Sequence, residues 1–144
     1  MTSPNSSAAK LTGTAILAAL VIIFDYSLKY SGLKIPFPFY PNLKFDFTGI
    51  PIAMSLFLYG FSSSVFTSLV AGVGIVARSG NIVSASMKVF AELSTVTGLY
   101  IGQNVMKNKL SSIYVSWVAG LAARVLIMSI VNLYVLPNIY GVPY

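Results

Sequence analysis

Few residues in this chain could do chemistry. Lys88 and Glu92 stand four apart in an apolar run, Arg124 stands alone in another, and Asn132 follows it by eight residues. A spacing of four puts Lys88 and Glu92 on one helical face within pairing distance. They either neutralise one another and fix packing, or they give a ligand cavity a polar lining. Arg124 and Asn132 lie about two turns apart and share a face to within roughly 80°, so they line one pocket or bracket it. Charges inside an apolar helix are costly and need a partner or a purpose. Arg124 has no acid near it in sequence, which favours function over packing; pairing with Glu92 across helices is the alternative.

Other chemistry is excluded by residue type. The chain has no Cys and no His, so it offers no disulfide, no thiolate metal site and no imidazole base. Three scattered acids make a paired-carboxylate centre improbable, and neither a metal nor a resident cofactor is expected. No glycine-rich phosphate loop with a following Lys-Ser or Lys-Thr is present, so ATP is not bound by that route. The expectation is a protein that is not an enzyme.

The elements that must position these residues are membrane helices. Of 144 residues, 56% are hydrophobic and 8% charged, with a mean hydropathy of +0.82. A soluble domain carries about 25% charged residues to cover its surface, whereas lipid tails tolerate an apolar exterior. The net charge of +6 comes from scattered basic residues beside apolar runs. That pattern suits lipid headgroups rather than nucleic acid.

The expected fold class is all-α, a polytopic bundle of about five transmembrane helices in one membrane domain over 11–144. A polar tail occupies 1–10. Helices are expected at about 11–30, 49–60, 62–78, 82–106 and 111–136, the last ending at Pro137. The first reads as a retained helix, because the bulky DYSLKYSG after it offers no small-x-small cleavage site. The second and third read as short, about 22 Å each, and joined by a tight turn from Gly60 to Ser63. Between the first two helices, Pro36, Pro38 and Pro41 forbid a regular helix. The interleaved aromatics suit an ordered loop, 31–46, over one membrane face. Ala15 and Ala19 form a small-xxx-small step, as readily internal packing as a partner surface. On charge alone the orientation is nearly tied. Lys10, Lys107 and Lys109 fall on one side, and Lys29, Lys34, Lys44 and Arg78 on the other.

Two stretches carry a family resemblance. LKFDFTGIPIAMSLFLYG (Leu43–Gly60) and RVLIMSIVNLYVLPNIYG (Arg124–Gly141) resemble the substrate-binding S components of energy-coupling factor (ECF) vitamin transporters, the riboflavin-type branch in particular. The first looks like that family's loop into helix two, the second like its fifth helix. The resemblance implies a small bundle with its amino terminus inside the cell, in a multi-pass cell-membrane protein. It implies a vitamin, most readily riboflavin, bound near the outer face by residues that here would be Lys88, Glu92, Arg124, Asn132 and Tyr140. The loop carrying Pro36, Phe37, Phe39, Tyr40 and Asp46 would be the gate. Ala15 and Ala19 would match the family's Ala-x-x-x-Ala contact with the coupling subunit, which works with two ATPase subunits. The implied topology also places Lys107 and Lys109 inside, which breaks the orientation tie. Two departures stand out: SASMKVFAEL replaces a Gly/Asn-rich helix, and the sequence ends where the family's sixth helix should begin. A non-catalytic structural or assembly subunit of a larger membrane complex is the alternative expectation.

Overall fold

The computed structural model describes residues 6–31, 36–37, 40–44, 47–105 and 109–139. Five helices run in chain order. They are α1 (Ser7–Tyr30), α2 (Gly49–Tyr59), α3 (Phe61–Ser79), α4 (Ile82–Val105) and α5 (Lys109–Ile139). Between α1 and α2 lies a two-stranded antiparallel ribbon, β1 (Pro36–Phe37) and β2 (Tyr40–Lys44). Contacts group the chain into two compact units, Met1–Ala85 and Ser86–Tyr144.

Three helix boundaries differ from the sequence expectation, each for a local reason. α1 starts within the supposed polar tail because the Ser6 side chain accepts a hydrogen bond from the Ala9 amide, which satisfies a first-turn donor. α3 has 19 residues and α2 only 11, about 28 and 16 Å. Thus α2 alone is short, and the connection between them is the single residue Gly60. Its φ of 95° is open to glycine and strained for other residues. Ser62, Ser63 and Ser64 belong to α3 rather than to a turn. Finally, α5 runs through Pro137 to Ile139. So near the end a missing amide costs one bond only, and Asn138 Nδ2 donates to the Tyr134 carbonyl at 2.8 Å, satisfying one of the terminal acceptors.

The segment expected to be a loop contains the ribbon, with Pro36 opposite Lys44 and Phe37 opposite Tyr40, and a register irregularity between Pro36 and Phe37. Proline is tolerated in a strand at such irregularities and at its first residue.

In the first unit, α1, α2 and α3 pack against one another. Each contributes a single buried stripe at helical spacing. Thr14, Leu17, Ala18, Val21 and Asp25 come from α1, Ile52, Ser55 and Leu56 from α2, and Ser64, Thr67, Ser68, Ala71 and Ile75 from α3. That 3.6-residue periodicity produces the bundle. The seam between α2 and α3 is polar. Ser64 Oγ donates to the Ile52 carbonyl at 2.9 Å, and Thr67 Oγ1 lies 3.2 Å from Ser55 Oγ. Buried hydroxyls of this kind hold membrane helices together where hydrophobicity alone does not. Gly13 of α1 lies against the Tyr59 ring, in space that a β-carbon would overlap. Gly80, at φ 65°, ends α3 in the left-handed conformation. Asn81 Oδ1 accepts from the Ser84 amide and so opens α4.

In the second unit α4 meets α5 through small residues. A β-carbon at Gly98 would stand 2.5 Å from the Ala119 carbonyl oxygen, and one at Gly102 2.5 Å from Ser116 Cα. Gly98-x-x-x-Gly102 therefore lets the two backbones approach closely. Among the described residues, three helical stretches are long and apolar enough to cross a membrane: Ser7–Tyr30, Phe61–Ser79 and Ser112–Ile139. α4 has 24 residues but is not one of them. Lys88, Glu92 and a series of serines and threonines make it more polar.

Candidate functional site

The second unit brings together three of the residues singled out in sequence. Lys88 Nζ lies 2.8 Å from Glu92 Oε1, as the one-turn spacing requires. Glu92 is only 2% exposed and sits on the buried stripe of α4 with Val96 and Leu99. Arg124 of α5 extends Nη1 to within 3.5 Å of the same Glu92 oxygen and 3.1 Å of Thr95 Oγ1. One buried carboxylate thus holds a cation from its own helix and another from the neighbouring helix. Taking such a carboxylate out of water is favourable only with this kind of compensation. The Arg124 side chain is 38% exposed, so it alone of the three presents much of its surface outward.

Thr95 was not anticipated. It lies one turn beyond Glu92, its hydroxyl donates to the Ala91 carbonyl at 2.8 Å, and it receives Arg124. In sequence it looks like any helical threonine. Asn132, about two turns further along α5, is half-buried, and its side chain makes no hydrogen bond among the described residues. It is not joined to the Lys88–Glu92–Arg124 cluster. Tyr140, Phe39 and Asp46 lie outside the described residues. Pro36, Phe37 and Tyr40 have their backbone in the ribbon.

A second charged contact escaped sequence reasoning. Arg78 belongs to the last turn of α3. Its Nε lies 3.1 Å from Asp25 Oδ2 of α1, with side chains 9% and 10% exposed. The guanidinium also stands 6.0 Å from the centroid of Tyr26, within cation–π range. An acid inside the apolar first helix was the only signal in sequence.

Ala15 and Ala19 are both exposed, as are Ala8 and Thr12, two turns and one turn before Ala15. The step from Ala15 to Ala19 is therefore not used in packing among the described residues of the first unit. It leaves a smooth outward face on α1.

Chemically, the cluster offers a fixed acceptor and two cationic donors in a largely apolar surrounding. That arrangement orients a polar ligand or locks two helices together. Among the described residues no group of three or more metal-ligating side chains occurs.

No family model matches the chain, and no curated protein matches it. A solved structure does: the S component of a bacterial ECF transporter superposes with a TM-score of 0.80. The match covers 94% of this chain and 78% of that one at 22% identity. At this identity the likeness establishes a shared fold.

Proposed function

We propose that this chain is the membrane-embedded substrate-binding subunit of an ECF-type importer, taking up a small vitamin-like molecule, with riboflavin as the first ligand to test. The observation that carries this reading is the fold likeness over 94% of the chain. It coincides with the two sequence stretches that resemble the same class. The Lys88–Glu92–Arg124 cluster, with Thr95, supplies the polar side of the ligand site, and Asn132 and Tyr140 are its further contacts. Residues 31–46 act as the gate, and the exposed Ala15–Ala19 face of α1 meets a membrane coupling subunit that is driven by ATPase subunits. Transport then requires only that the loaded and empty forms dock differently, a differential affinity for two states.

The test is titration of the purified protein with riboflavin, followed by calorimetry and by quenching of flavin fluorescence. Saturable heat and quenching are expected. Asn132→Ala should weaken binding by about 1–3 kcal/mol, the cost of an unmade buried hydrogen bond. The absence of both heat and quenching would rule out riboflavin. Failure of a panel of other vitamins, together with failure to co-purify with a coupling module, would remove the function.

A further inference from the structure

The Arg124 guanidinium is only half committed. Both of its hydrogen bonds leave through Nη1, to Thr95 Oγ1 at 3.1 Å and to Glu92 Oε1 at 3.5 Å. Nε and Nη2 make none among the described residues. Its charge is only partly compensated as well. Lys88 Nζ holds the same Glu92 oxygen more closely, at 2.8 Å, and residues 86–144 contain no other acid. The side chain is 38% exposed, so its free edge is open to an incoming group.

Depth excludes a lipid headgroup as that group. Arg124 lies about 18 Å beyond Ser112 and about 22 Å before Ile139 along the span. Its side chain reaches neither interface, and an uncompensated cation at such depth is costly. The same stripe of α5 continues past it. Met128 and Asn132 follow at steps of one turn, both half-buried, and the Asn132 side chain makes no hydrogen bond among the described residues. A molecule lying along this stripe meets the guanidinium at one end, the adaptable Met128 thioether in the middle and an amide at the other.

Nε and Nη2 present two parallel N–H donors, the arrangement that takes two oxygens of a carboxylate or phosphate at once. A neutral carbonyl engages such a fork less completely and leaves the charge uncompensated. We infer that the transported molecule carries an acid, a carboxylate or a phosphate, and that the free edge of Arg124 binds it. Thr95 and Glu92 are positioning residues, which hold Nη1 and so aim the opposite edge. The inference rests on the transport reading and narrows its substrate to acidic molecules.

The test compares binding to the purified protein within vitamin pairs that differ in whether an acid is present. Riboflavin 5′-phosphate is set against riboflavin by flavin quenching, and pantothenate against pantothenol and nicotinate against nicotinamide by calorimetry. In a pair that binds, the acid should bind at least about tenfold more tightly, the scale of a charge-assisted hydrogen bond. Arg124→Gln should abolish that preference and change the affinity of the neutral member far less, a split that a purely structural role would not produce. Arg124→Lys keeps the charge without the fork and should recover only part of the preference. Equal affinities within every pair that binds, or a preference that survives Arg124→Gln, overturn the inference and leave the transport reading standing. Co-purification of a membrane chain that Arg124→Gln loses, with no acid preference, overturns it and gives the fork to an acidic side chain of that chain. Binding by no member of any pair removes both readings.

Discussion

Arg78 Nε lies 3.1 Å from Asp25 Oδ2, joining the last turn of α3 to the interior of α1, with both side chains about nine-tenths buried. In the apolar interior of a bundle such a contact is costly to break, because removal of one partner leaves the other charge desolvated. The guanidinium Nη1 and the paired atoms Nε and Oδ2 have no well-aligned hydrogen bond, so the contact is mainly one of charge.

Asp25→Asn should therefore destabilise the protein by about 3–5 kcal/mol, read as unfolding in detergent against denaturant. Replacing both partners with leucine should cost clearly less than the single change, because no stranded charge remains. A double variant as unstable as the sum of the two singles would show that the residues act independently.

Glu92→Gln removes the carboxylate shared by Lys88 and Arg124. A loss of about 3 kcal/mol is expected. Arg124→Ala should cost about 1 kcal/mol, because the Arg124 side chain is 38% exposed and water screens its part of the interaction. Equal losses for the two variants would contradict the placement of Glu92 as the centre of the cluster.

Gly98→Ala should destabilise the α4–α5 pair by about 1–3 kcal/mol, as overpacking does, because the new carbon meets the Ala119 carbonyl at 2.5 Å. Gly74→Ala is the control. There a β-carbon meets only Ile22 Cγ1 at 3.4 Å, and the gain in helix propensity should make the change neutral or slightly stabilising. Thermal unfolding of the two variants side by side separates close packing from a general effect of glycine.

The features legible in the sequence were periodic ones. The helices follow from apolar runs, and Lys88–Glu92 from a spacing of one turn. Arg124 as a partner for Glu92 followed from the cost of a lone charge in an apolar helix. The features that escaped were either long-range or ambiguous. Nothing local connects Arg78 to Asp25, since their meeting depends on how α1 and α3 pack. Serine favours turns and also back-bonds within helices, so Ser62 and Ser63 resembled a turn when they belong to the first turn of α3, while Ser64 forms part of its seam with α2. The ribbon escaped because prolines signal a break in a helix without specifying the structure that replaces it. Gly98-x-x-x-Gly102 was visible, but its meaning depends on the opposing Ser116 and Gly120.

The one-residue join at Gly60 bears on how the chain enters a membrane. α2, at about 16 Å, is too short to be accepted by the insertion machinery as a span of its own. No polar linker separates it from α3 that could wait in water while α3 is threaded. The two helices must then be handed to the lipid together, as one bent segment. Their shared hydroxyl bonds, Ser64 to Ile52 and Thr67 to Ser55, then satisfy polar groups within that one segment. Gly60 is thus a constraint on the order of assembly as well as a corner in the finished protein.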